Sequence, residues 1–122
     1  MAQGEGFVPG RHKIDDYGGG GFRFADMSHR GSILASPGGV RALGLTKAQE
    51  IDAATIDLAL AESLDLLIIG TGPDLLPLPS HLRAKLRAAG VGCETMATGA
   101  AVRTYNILVD EDRRVAALLI AV

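Results

Sequence analysis

Two short stretches of this 122-residue chain hold residue types that could recognise a ligand. The first is Gly70-Thr71-Gly72, which follows the apolar run Leu66-Leu67-Ile68-Ile69. Glycine lets backbone N–H groups come close to a phosphate, and in open α/β sheets ligands lie beyond the carboxyl ends of strands. A dinucleotide fingerprint would need a third glycine opening a helix, whereas here Pro73, Pro77 and Pro79 follow, so plain turn geometry competes with a nucleotide or anion site. The second stretch is Met96 to Asn106, in which Gly99, Ala100 and Ala101 precede Arg103, Thr104, Tyr105 and Asn106. Arg103 can pair with a carboxylate and Asn106 can bond a loop carbonyl. Alternatively, the start of this helix can hold an anion or a partner. Arg23 is a further cation able, like Arg103, to hold an anion at the Gly70-Thr71-Gly72 edge through charge-assisted hydrogen bonds.

Other chemistry lacks its spacing. Gly18 to Gly21 lie between Tyr17 and Phe22 without a Gly-Lys-Ser/Thr sequence, so they predict a wide hairpin turn and not a P-loop. Cys93 falls in a predicted strand, where a buried thiol is inert, and His12, His29 and His81 are scattered. No Cys-x-x-Cys or His-x-x-x-His pair suggests a metal. The expectation is therefore no catalytic residue, no metal and no cofactor.

The positioning elements must form an aliphatic core. Hydrophobic residues make up 48% and aromatic residues 4%, with no Trp. Mean hydropathy is +0.24. One domain is expected at this length. A net charge of −2 argues against nucleic acid as a partner. The single cysteine excludes an intrachain disulfide and fits a cytoplasmic setting, and no stretch approaches the ~20 apolar residues of a membrane span.

In chain order, residues 1–13 predict a flexible tail and 14–122 a single domain. Gly31 to Leu45 predicts a hairpin turning at Pro37-Gly38-Gly39. Thr46 to Gln49 has the form of a capping box for a single turn, and Asp52 is the better cap for a helix over Ala53–Glu62 with Ile56, Ala59, Leu60 and Ser63 on one face. A central strand follows at 66–69. Ser80 is expected to cap a helix with Leu82, Leu86 and Ala89 inward, Val91 to Met96 to form a strand, and Thr98 to cap a helix through Asp110. That last helix should bury Ala101, Val102, Tyr105, Leu108 and Val109, and Val115 to Val122 should form a second central strand. Strand, helix, strand, helix, strand after a set of extended pieces predicts a three-layer α/β domain.

The ordered set Tyr17 to Phe24, Gly31-Ser32-Ile33-Leu34, Leu67 to Gly72, Met96 with Thr98, Ala101 to Leu108 and Arg113 to Ala117 resembles the MTH-like small α/β domain family. The resemblance covers Ile14 to Val122. The family has bacterial and archaeal members of unknown function and includes the mitochondrial complex I assembly factor three. It implies a mixed five-stranded central sheet flanked by helices, with an additional small β-layer from the N-terminal hairpins. It implies no catalytic residue. Its partner class is protein, from membrane-complex assembly or translocation machinery, which would place the chain in the cytoplasm and peripheral to the inner membrane through that partner. Two positions depart from the family's pattern: Leu43-Gly44 stand where a Trp is common, and Asp112 where Gly is frequent.

Two readings of function result. One is a non-catalytic interaction module using the Gly18 to Phe24 hairpin and the 70–79 loop. The other is a binder of a small anion or nucleotide, or an enzyme, at the Gly70-Thr71-Gly72 edge with Arg23 or Arg103. Convergence of Arg23, Thr71 and Arg103 on one cleft would favour the second. A homodimer through exposed hairpin edges is left open by the sequence.

Overall fold

A computed structural model describes residues 6–122. The strands are β1 (Phe7–Pro9), β2 (Asp16–Gly18), β3 (Gly21–Phe24), β4 (Met27–Arg30), β5 (Ile33–Ser36), β6 (Gly39–Ala42), β7 (Leu66–Gly70), β8 (Gly92–Met96) and β9 (Val115–Leu119). The helices are α1 (Ala53–Leu60), α2 (Ser80–Ala88) and α3 (Thr98–Asp110), with a single 3-10 turn at Ala48–Glu50. Six strands form the main sheet in the order β1-β6-β5-β9-β7-β8, and β2-β3-β4 form a small antiparallel sheet. The fold is thus mixed α/β as expected, with one more strand in the main sheet than the five the resemblance implies. The addition is β1, which pairs antiparallel with β6.

Period-two alternation explains the layers. In β9, Ala116 and Leu118 face one side and Val115, Ala117 and Leu119 the other; in β7, Leu67 and Ile69 oppose Ile68. The first side receives Ile56 and Ala59 of α1 and Leu82 and Leu86 of α2. The second receives Ala101, Val102 and Tyr105 of α3 and Phe22 and Phe24 of the small sheet. Ala89, Leu108 and Val109 are less covered than their spacing predicts: Ala89 is exposed and the two α3 residues are half-buried, because α3 rests on the sheet through a narrower stripe.

Local signals differ from expectation in four places. The β2–β3 connection is tight, with Gly19 at φ 62° and Gly20 at φ 83°, the two left-handed residues that a type I′ hairpin requires. The single turn at 48–50 is closed by Glu50 and not Gln49: its Oε1 accepts from the Thr46 N–H at 2.7 Å and the Lys47 N–H at 3.3 Å. Ser80 and Thr98 each lie inside the helix they were expected to cap, and neither α2 nor α3 has a side-chain N-cap bond. Asp52 does cap α1, accepting from the Thr55 N–H at 2.9 Å. This interaction holds its carboxyl below the usual range.

Residues 6–13, within the stretch for which the sequence predicts a tail, are tied to the domain. Beyond β1, Arg11 pairs with Asp112 at 3.1 Å and Lys13 with Asp110 at 3.0 Å. Both cations sit at the C-terminal end of α3, where the helix dipole favours positive charge. Residues 1–5 lie outside the described residues.

Candidate functional site

The carboxyl end of β7 is a packed junction. A Cβ on Gly70 would sit 3.0 Å from Ala101 Cβ and 3.0 Å from Thr98 Cα, so glycine is what lets α3 lie directly on the strand. Thr71 and Gly72 are buried. The Thr71 N–H donates to Met96 O at 2.9 Å, and the Gly72 N–H donates to Thr98 Oγ1 at 3.0 Å. Thr98 in turn donates its hydroxyl to Ile120 O at 2.8 Å. Its side chain therefore joins the ends of β7, β9 and α3, a role that local capping rules cannot reveal because its partners are 22 and 26 residues away. Thr71 Oγ1 donates to Asp74 O at 2.6 Å and accepts from the Leu76 N–H at 3.0 Å. The N–H groups that could have held an anion here already have partners inside the protein.

The α3 residues are used similarly. Tyr105 is fully buried, its hydroxyl donates to His12 O at 3.2 Å, and burial pushes its pKa up to about 12. Asn106 clasps the backbone of Ile14, accepting from its N–H at 2.9 Å and donating to its carbonyl at 2.8 Å. That is the loop-carbonyl arrangement anticipated for Asn106, made reciprocal. Thr104 Oγ1 lies 3.5 Å from Met96 Sδ. Arg103 is exposed and has no ion pair among the described residues.

Arg23 stands elsewhere. It lines an open cleft of about 640 Å³ on the small sheet, together with Asp16, the glycines of the β2–β3 turn, Ser28 and Arg30. Thr71 borders a different cleft of about 320 Å³, lined by Ala48, Ile51, Leu76, Pro77, Leu78 and Pro79. Arg103 belongs to the lining of neither. Arg23, Thr71 and Arg103 thus do not converge. The hairpin tip and the start of the 70–79 loop nevertheless both reach the end of β9. The Gly20 N–H donates to Val122 O at 2.7 Å and the Ile120 N–H to Gly70 O at 2.9 Å, linking the hairpin tip through the end of β9 to the 70–79 loop.

Among the described residues no three His, Cys, Asp or Glu side chains are grouped as metal ligands. Cys93 is half-buried and desolvation pushes its thiol pKa up, away from reactivity. Among the described residues no helix is long and apolar enough to cross a membrane.

Comparison with known proteins matches this geometry to a group without an assigned activity. An uncharacterised protein of Rhodobacter capsulatus is 41% identical over 120 residues, 98% of this chain and 93% of that protein. The solved structure of a protein described as an outer membrane protein from Bartonella henselae has a TM-score of 0.89 at 52% identity, covering 93% of this chain and 97% of that one. A Bordetella pertussis protein described as an Mth938-like domain has a TM-score of 0.80 at 28% identity, covering 89% and 85%. A family model described as a protein of unknown function (DUF498/DUF598) matches residues 14–120, and the chain belongs to that family, with the Mth938-like fold its solved relatives share.

Proposed function

We propose that the chain is a non-catalytic interaction module that docks through the end of the molecule carrying the 70–79 loop and the β2–β3 hairpin. Its partner is a protein of a membrane or respiratory complex under assembly, or of the translocation machinery serving it. The observation that carries this reading is the loop itself. Thr71 Oγ1 bonds backbone on both sides of Leu75, while the Leu75 side chain is left 61% exposed beside an apolar cleft. A large apolar residue held out on a pre-ordered backbone suits an interface contact, because little conformational freedom remains to be lost on binding. The membrane setting is supported by the resemblance to an assembly factor and by the description of the Bartonella relative.

The alternative of an anion or nucleotide at the Gly70-Thr71-Gly72 edge has less support, since the Thr71 and Gly72 N–H groups are already bonded. The test is a photo-crosslinking amino acid at position 75, compared with one at the exposed Glu111. A discrete adduct from position 75 alone, competed by excess wild-type protein and not by Leu75→Asp, is expected. An adduct of twice the chain's mass would make the partner a second copy. Equal labelling from both positions, or none from position 75, would refute the docking surface.

A further inference from the structure

We infer that the outer face of the small sheet is a binding site for a phosphate group, distinct from the apolar cleft and argued from observations other than those behind the docking reading, although both use the β2–β3 hairpin. The register sets the face. Arg23 is paired with Asp16 on one side and Ser28 on the other, and Gly21 with Gly18 and Arg30. Alternation therefore brings Asp16, Gly18, Gly21, Arg23, Ser28 and Arg30 to one surface, while Phe22 and Phe24 go into the core. Arg23 and Arg30 are diagonal neighbours on adjacent strands, a relation that in antiparallel sheets separates residues by about 7–8 Å, a span over which two guanidinium groups can grip one tetrahedral anion.

Both arginines are exposed, and among the described residues neither has a carboxylate oxygen within salt-bridge distance. For Arg23 this is informative, because Asp16 is directly opposite. The Asp16 carboxylate instead accepts from the Tyr17 N–H at 2.9 Å, and Arg23 Nη1 donates to Ser28 Oγ at 2.8 Å. Among the described residues most guanidinium donors of the pair are thus left without a protein acceptor. Between them the floor has no side chains at Gly18, Gly19 and Gly21, which leaves an open cleft of about 640 Å³. Arg30 Nη1 lies 3.8 Å from where a Cβ on Gly20 would be, so the second guanidinium is drawn toward the turn and over this floor. Paired guanidiniums, a hydroxyl and an unobstructed backbone suit a phosphate mono- or diester, in which planar forks meet oxygens two at a time. The site is local, for the net charge of the chain is −2. The same chemistry could come from a free phosphorylated solute or from a phospholipid headgroup.

The test is amide and arginine side-chain NMR of the full chain, titrated in separate arms with inorganic phosphate and with phosphatidylglycerol vesicles. Sodium chloride at matched ionic strength and phosphatidylcholine vesicles are the controls. Saturable shifts confined to residues 16–30 are expected with phosphate. Arg23→Gln and Arg30→Gln should each weaken binding about tenfold, since hydrogen bonds to charged groups differ by that order. Asp16→Asn should tighten it several-fold, a change of opposite sign that a purely structural effect would not give. Binding in the vesicle arm as well would assign the site to a headgroup, and binding in the phosphate arm alone to a soluble ligand. Absence of saturable shifts in both arms, equal shifts with chloride, or affinity unchanged in both arginine variants with the remaining spectrum intact would overturn the assignment.

Discussion

Gly70→Ala places the close approach of α3 to β7 under direct test. The added methyl would meet Ala101 Cβ at 3.0 Å, Thr98 Cα at 3.0 Å and Leu119 Cδ2 at 3.1 Å. The leucine tip can move, but Thr98 Cα and Ala101 Cβ are fixed to the helix, so relief requires α3 to shift outward by a few tenths of an ångström. Overpacking of this kind costs about 1–3 kcal/mol. Gly70 has no left-handed φ, so alanine also restricts the unfolded chain and returns about 0.4–1 kcal/mol. A net loss of about 1–2 kcal/mol follows, and at roughly 4 °C per kcal/mol for a domain of this size Tm should fall by about 4–8 °C. Urea denaturation followed by circular dichroism measures the change. Ala101→Gly removes one of the contacts, so the double variant should be less destabilised than the sum of the single ones, by about 0.5–1 kcal/mol. A Gly70→Ala protein as stable as the parent, or strictly additive costs, would refute the argument that the glycine exists to admit the helix.

Thr98→Val keeps the shape but leaves the Gly72 N–H and the Ile120 carbonyl without their partner. A loss of about 2 kcal/mol is expected from urea melts, with Thr98→Ser recovering most of it. Asn106→Ala removes both bonds to Ile14 and should cost about 2–3 kcal/mol, while hydrogen exchange at Ile14 accelerates more than in the β7 core. Tyr105 has a folded pKa of about 12 against an unfolded value of about 10, so its contribution is complete below pH 10 and is lost as pH rises toward 12. Tyr105→Phe should flatten that alkaline decline in stability. Cys93 should react with a disulfide reagent more slowly in the native protein at pH 8 than in urea, because burial disfavours its thiolate.

The short apolar runs at 66–69 and 115–122 are legible because strands covered on both faces need nothing but aliphatic residues, although the second strand ends at Leu119. Asp52 was legible for a related reason: its capping partner, Thr55, is three residues away. Thr98 and Ser80 have the residue types of caps, yet neither α2 nor α3 uses a side-chain cap. At Thr98 a tertiary demand from Gly72 and Ile120 took the hydroxyl. The strand at Phe7–Pro9 was hidden among glycines, and only its pairing with β6 makes it extended. Of the residues proposed for chemistry, Tyr105 and Asn106 bond backbone 93 and 92 residues away, separations that sequence spacing does not encode, whereas Thr71 bonds Asp74 within its own loop. The arginine pair was half visible. Arg23 stood out by type, whereas Arg30 gains meaning only from the register that brings it diagonal to Arg23.

The place of β9 bears on how the molecule comes into being. It follows every other described strand in sequence, yet it lies between β5, to which it is antiparallel, and β7, to which it is parallel. Until it has left the ribosome, the N-terminal strands and the β7–β8 pair are two half-sheets with bare inner edges, each a template for unwanted pairing. Joining of the two halves thus waits on β9, and in the interval before it their bare edges are open to pairing with other chains.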